Sequence, residues 1–202
     1  MTVFIHAVTF SDDESPLLKA AAKLLFQAYY NELGSAYNVI LTYQGVQEEL
    51  DGLPGKFDFG KRGGLWVASV VDDGEDDEVV MVGPGAMLPG QGKLTLDSFV
   101  GVVALRPLGS TDDATGEVKR MFVSKDGRRK GIAYVLSVAL CSHAARMGDY
   151  MCLKLDSLER LPGAVTLYEK LGFRRCKKYC ECPEKDHVCM EMLLAQEPQA
   201  TG

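Results

Sequence analysis

Between Glu117 and Phe173 the chain passes through a strand, a basic glycine-punctuated loop and a helix, and this succession limits what can be built there. Glu117 to Val123 (Glu-Val-Lys-Arg-Met-Phe-Val) reads as a strand. Arg128-Arg129-Lys130-Gly131 follows as a loop, and the next residues place Ile132, Val135, Leu136, Ala139, Leu140, His143 and Met147 three and four apart. That spacing is one face of a helix, and Gly148 stops it. Met151 to Leu155 is a short apolar strand of the kind with a parallel neighbour. Pro162 to Leu171 is a second helix, closed by Gly172-Phe173. A basic loop that presents backbone N–H groups at a helix N-terminus is an anion site, most naturally for phosphate. The plainer reading is a helix start whose basic residues are simply solvated.

The remaining elements surround this unit. Residues 3–9 form a first strand. Ser15-Pro16 opens a helix with a stripe of Leu17, Ala21, Leu24, Leu25 and Ala28, and Gly34 is its expected cap. A short helix covers Val46 to Leu50. Strands are expected at Gly64–Val71, Phe99–Leu105, Phe173–Tyr179 and Val188–Leu194. The order is β-α-α-β-β-β-α-β-α-β-β, an α/β fold with a mixed sheet in a single domain, 1–202. Its one interruption is an acidic, Gly/Pro-rich insertion at about 72–98.

The formal charge of −6 is local, because the six acids between Asp72 and Glu78 account for all of it. No broad basic face is left for nucleic acid. No apolar run approaches a membrane span, and no targeting segment shows. Six cysteines without a signal peptide suit reduced thiols, and the cytoplasm is the expected location.

Glu117 is the candidate general base, a strand carboxylate able to take a proton directly or through water. It can equally be a structural partner of Lys119 or Arg106. Tyr168 is a candidate proton donor, although it also falls on the packing stripe Ala164, Val165, Tyr168, Leu171. His143, on an apolar helix face, reads as a core histidine. Cys176, Cys180, Cys182, His187 and Cys189 lie close in sequence, but their spacing lacks the paired knuckles of common zinc sites, and no metal is expected.

Together these residues resemble the GCN5-related N-acetyltransferase (GNAT) superfamily. Arg128-x-x-Gly131-x-Ala133 is similar to its acetyl-CoA motif, and Leu167-Tyr168-Glu169-Lys170-Leu171-Gly172-Phe173 to its second helix-to-strand signature. Gln44-Gly45-Val46, Leu53-Pro54-Gly55, Val102 to Leu108 and Gly116 to Val123 resemble small stand-alone members. The resemblance implies a mostly antiparallel mixed sheet splayed between the Glu117–Val123 and Met151–Leu155 strands and flanked by helices. It implies acetyl-CoA as co-substrate, with pantetheine along Met121, Phe122 and Val123. Pyrophosphate would then rest on Arg128, Arg129, Lys130, Gly131, Ile132 and Ala133. Glu117 would be the base and Tyr168 the acid that protonates the departing thiolate. Tyr37, Tyr43 and Arg106 are expected near the acceptor. Leu161 stands where many members carry asparagine, so one side-chain contact to the cofactor is in doubt.

The implied reaction is acetyl transfer to the primary amine of a small molecule, by a monomer or homodimer. A protein or peptide acceptor, and a module that only binds CoA, are the alternatives.

Overall fold

A computed structural model describes residues 1–11, 15–39, 45–71, 78–83, 94–109 and 113–194. Eight strands form one sheet in the order β3-β1-β2-β4-β5-β6-β8-β7. They are β1 (Thr2–Ala7), β2 (Gly64–Val71), β3 (Glu78–Val82), β4 (Phe99–Pro107), β5 (Thr115–Val123), β6 (Cys152–Leu158), β7 (Arg174–Arg175) and β8 (His187–Leu193). The helices are α1 (Pro16–Tyr37), α2 (Val46–Asp51), α3 (Ile132–Met147) and α4 (Pro162–Lys170). Antiparallel pairing prevails, with parallel pairs only at β1–β3 and β5–β6.

Period-two alternation divides the central strands between two apolar layers. Trp66, Ala68, Val103 and Leu105 pack with Leu136 and Leu140 of α3. Leu65, Val67, Val102 and Ala104 pack with Leu18, Ala22 and Phe26 of α1. Both faces are covered, which is why β2 and β4 read as nearly continuous apolar runs.

Several expectations are corrected. The buried stripe of α1 is Leu18, Ala21, Ala22, Leu25, Phe26 and Tyr30, whereas Leu24 is half exposed. The helix runs past Gly34 and ends at Asn38, whose left-handed backbone (φ 56°) lets its N–H bond to the Leu33 carbonyl. The insertion contains a strand, β3, which joins the sheet edge parallel to β1. Its acidic tip lies outside the described residues. The strand expected at Phe173–Tyr179 shrinks to Arg174–Arg175, because the chain then leaves β8 and turns toward the sheet centre.

The feature that makes a site is the shortness of one ladder. β5 and β6 pair only at Thr115↔Cys152, Gly116↔Leu153 and Glu117↔Lys154. Beyond Glu117, β5 runs on to Val123 and β6 to Leu158 with no pairing between them. The V-shaped parting expected between these strands is therefore present. Gly116 sits at its apex, where an added Cβ would lie 2.8 Å from Leu153 and 3.0 Å from Leu105. Gly116→Ala should lower stability by about 1–3 kcal/mol in urea unfolding, since neither neighbour can move without disturbing the core. An unchanged midpoint would show that the apex is loosely packed.

Candidate active site

The parting of β5 from β6 opens a cleft of about 1110 Å³, lined at one end by the 127–134 turn and at the other by Tyr37, Arg160 and Glu184. At the first end the basic loop is pinned before it reaches α3. The Ser124 N–H bonds to the Val100 carbonyl at 2.7 Å, and Gly127 is pressed so closely on Val100 and Val123 that a Cβ would meet each at 2.9 Å. Arg128 donates from Nε to the Val123 carbonyl at 2.9 Å and pairs with Glu32 of α1. Its guanidinium thus staples the loop to β5 and α1. Arg129 and Lys130 are exposed and, among the described residues, bond to nothing. Gly131 turns the chain into α3 with φ 75°, and no side chain caps that helix. The first-turn N–H groups of Ile132, Ala133 and Tyr134 have no acceptor within the helix, so they face the cleft as a partial positive charge.

In the middle of the cleft Glu117 is fully buried and held on every side. Arg106, its cross-strand partner on β4, donates from Nε and from a terminal nitrogen to Oε2, each at 2.5 Å. Tyr179 donates its hydroxyl to Oε1 at 3.1 Å, and Lys119 approaches the same oxygen at 3.4 Å. Lys119 also reaches Asp156 Oδ1 of β6 at 2.5 Å. Burial opposes charge on both Lys119 and Asp156, but their mutual attraction outweighs it and keeps both ionised. Both structural partners foreseen for Glu117 are present, and Tyr179 and Asp156 complete the web.

Tyr168 projects from α4 into the parting. Its ring packs edge-on against Phe173, with centroids 5.8 Å apart, and its hydroxyl has no hydrogen bond among the described residues. Burial, with smaller contributions from Tyr29 and Asp156, raises the phenol above its ordinary value, so it carries its proton and can donate it. Packing and proton donation are compatible here, because the ring is buried while the residue still lines the cleft.

Residues 92–175 match the family model of the GNAT acetyltransferase domain, a span that includes β4, β5, the basic loop, α3, β6 and α4. Over that span the chain is similar to GNAT acetyltransferases. An uncharacterized N-acetyltransferase of Schizosaccharomyces pombe is 25% identical over 174 residues, covering 86% of this chain and 87% of that protein. The same fold recurs in an N-acetyltransferase of Staphylococcus aureus Mu50 (TM-score 0.63, 17% identity, 96% and 99% of the two chains). It recurs too in yncA of Salmonella typhimurium, solved with its cofactor acetyl-CoA (TM-score 0.59, 15% identity, 90% and 94%).

Within this GNAT fold β5 carries a bulge that the sequence does not announce. Val102 faces Phe122 but Ala104 faces Lys119, so Arg120 and Met121 together oppose Val103. Arg120 takes φ 58°, uncommon for a residue with a side chain. An ion pair holds it there. Its Nε donates to Glu49 Oε1 of α2 at 2.7 Å, and its guanidinium lies over the rings of Tyr29 and Tyr30. Glu49 also receives Tyr30 Oη at 2.6 Å and Lys56 Nζ at 2.5 Å.

At the far end Arg160 ties three elements together. It donates from Nε to the Tyr37 carbonyl at 3.2 Å and pairs with Glu184 at 2.7 Å and with Asp186. Tyr37 and Arg106 line the cleft, while Tyr43 lies outside the described residues. His143 is away from the cleft, edge-on to Phe59 and Trp66 with centroids 5.1 and 5.2 Å distant. Cys180, His187 and Cys189 converge so that their ligand atoms lie within 4.8 Å of one another, which their sequence spacing concealed. Among the described residues no helix is long and apolar enough to cross a membrane.

The Glu49–Arg120 pair makes stability pH-dependent. Burial resists ionisation of Glu49, but the bonds from Arg120, Lys56 and Tyr30 outweigh it and hold the carboxyl at about 2. The folded chain therefore binds this proton less readily than the unfolded chain, whose carboxyl titrates near 4.5. The stabilisation is complete above about pH 4.5 and is lost as pH falls toward about 2. Glu49→Gln should flatten the loss of unfolding free energy across that window. Glu49→Ala should cost about 3–5 kcal/mol at neutral pH by leaving Arg120 buried without its partner. An acid slope identical in wild type and Glu49→Gln would contradict this account.

Proposed function

We propose that this chain is a GNAT-superfamily acetyltransferase that moves the acetyl group of acetyl-CoA to the primary amine of a small molecule, by direct transfer with both substrates bound. The carrying observation is the parted sheet, which places an uncapped α3 N-terminus, the unpaired half of β5 and Tyr168 along one cleft. The residues present suit acetyl-CoA. Arg129, Lys130 and the N–H groups of Ile132, Ala133 and Tyr134 would receive its pyrophosphate. The main chain of Met121, Phe122 and Val123, free of β6, would hold the pantetheine arm. Arg128 would act indirectly, by fixing the loop through Val123 and Glu32.

Acetyl-CoA supplies an activated thioester. This chain supplies position, charge and protons. Main-chain N–H groups released at the β5 bulge are available to polarise a carbonyl placed beside them. The Tyr168 hydroxyl, protonated and unengaged, donates its proton to the departing sulfur. Glu117 receives the proton of the acceptor amine through a water molecule. Its carboxylate oxygens are already engaged, and the Lys119 contact at 3.4 Å is the longest and the most readily replaced by that water.

A small acceptor is favoured over an extended polypeptide by the Arg160 tie, which joins the end of α1 to the 184–186 segment across the far end of the cleft. Acidic groups at that end, Asp156 and Glu181 among them, would attract a cationic amine.

Incubation with acetyl-CoA and pooled amines, amino acids and peptides, followed by mass spectrometry, tests this reading. A small amine heavier by one acetyl group is expected. Acetylation of peptides alone would replace the small-molecule acceptor by a polypeptide. Tyr168→Phe should lower kcat about 100-fold or more while acetyl-CoA affinity stays nearly constant. Undiminished kcat would leave Tyr168 a packing residue.

A further inference from the structure

Beside the acceptor end of the cleft, the sheet register gathers a second group of reactive side chains. His187 and Cys189 stand two apart on β8 and so project from the same face. Asp156 of β6 is directly opposite Cys189 in the antiparallel ladder. The segment that leaves the sheet after β7 carries Cys180 over the same point. The His187 side chain is fully buried, and its Nε2 faces all three neighbours at once. It lies 3.7 Å from Cys180 Sγ, 3.8 Å from Cys189 Sγ and 3.7 Å from Asp156 Oδ2.

One ring nitrogen carries one proton or one lone pair, so it can satisfy only one of these partners by hydrogen bonding. A cation among Cys180, His187 and Cys189, whose ligand atoms all lie within 4.8 Å of one another, would satisfy these three and attract Asp156. With Zn–S bonds of about 2.3 Å and Zn–N bonds of about 2.0–2.1 Å, the sulfur-to-nitrogen edge of a tetrahedron is about 3.5 Å. The three edges that meet at Nε2 need to contract by only a few tenths of an ångström, and the two sulfurs, within 4.8 Å of each other, must close toward about 3.8 Å. All six cysteines are free thiols, so no disulfide competes for Cys180 or Cys189.

We propose that Cys180 Sγ, His187 Nε2 and Cys189 Sγ bind one zinc ion, with Asp156 Oδ2, 3.7 Å from His187 Nε2, as its fourth ligand after a small shift. Two thiolates and an imidazole select zinc over magnesium or calcium, which take oxygen ligands. Charge also balances: the dication and Lys119, bonded to the other oxygen of Asp156 at 2.5 Å, together offset two thiolates and one carboxylate. Binding releases the two thiol protons to solvent and involves no redox change. Four protein ligands close the coordination sphere, so the site is structural. It anchors the 176–186 segment to the sheet and holds Tyr179, the residue before Cys180, against Glu117. The spacing of these ligands in sequence argues against a metal; their convergence across β6, β8 and the intervening segment argues for one.

The test is to strip the reduced, full-length protein with a chelator and titrate it with Zn²⁺ alone and, in parallel, with Co²⁺. Bound metal is counted by native mass spectrometry and cobalt–thiolate charge-transfer absorption is recorded. One equivalent of zinc, a cobalt–thiolate band and a zinc-dependent rise in Tm are expected. Cys180→Ser, a partly exposed position that folding should tolerate, should keep the metal-free Tm and lose both the band and the rise. Cys152→Ser and Cys141→Ser should keep them. Failure of the reduced wild-type protein to take up either cation would overturn the proposal. So would a band that survives in Cys180→Ser, or peptide mapping of a Cys180–Cys189 disulfide in protein that takes up no metal after reduction.

Discussion

Three residue pairs hold the two halves of this sheet together, and the rest of the site follows from their small number. β5 and β6 meet only from Thr115 to Glu117 on one side and Cys152 to Lys154 on the other. A longer ladder would have bonded the main chain of Met121 to Val123 to β6 and sealed the cleft. The shorter one leaves that main chain unpaired on the β6 side. It also lets Tyr168, from the helical layer on one face, come near Tyr29 and Asp156, which belong with the other. The apex is set by packing around Gly116, where there is no room for a side chain.

Parting a sheet removes hydrogen bonds from its middle, and charged groups take over part of their work. Arg106 and Glu117 bind β4 to β5, Lys119 and Asp156 bridge β5 to β6, and Arg120 and Glu49 bind the bulge to α2. Buried ion pairs of this kind contribute little net stability against an apolar alternative, yet losing one partner is costly. Their value here is positional. Glu117 is held in the cleft wall by groups that also define where β5 runs. The Arg160 tie does similar work at the far end of the cleft, joining α1, the β6–α4 connection and the segment before β8.

Much of this architecture was legible in the sequence. Nearly continuous apolar runs marked β2 and β4, and glycine with basic residues marked the turn into α3. The helix that carries Tyr168 was equally plain. What escaped had a weak local signature or none. β3 is short and half exposed, and its apolar run Val79 to Val82 was absorbed into the acidic and Gly/Pro-rich stretches on either side, which read together as one insertion. The β5 bulge depends on Arg120 finding Glu49, 71 residues away. Tyr179 and Asp156 join Glu117 and Lys119 because one segment leaves the sheet and two strands stand in a particular register, neither of which composition encodes. Arg128 looked interchangeable with Arg129 and Lys130, and only the fold shows it spent on Val123 and Glu32. The converging cysteines were visible as a cluster, but spacing alone could not reveal that Cys180, His187 and Cys189 meet.

The central claim is that the parted half of β5 and the first turn of α3 together form the acetyl-CoA surface. Backbone hydrogen exchange, measured with and without acetyl-CoA, tests it most directly. Slowed exchange should concentrate at Met121 to Val123 and at Ile132 to Tyr134, with little change in β1–β3. Protection confined to other elements, with these two stretches unaffected, would contradict the account.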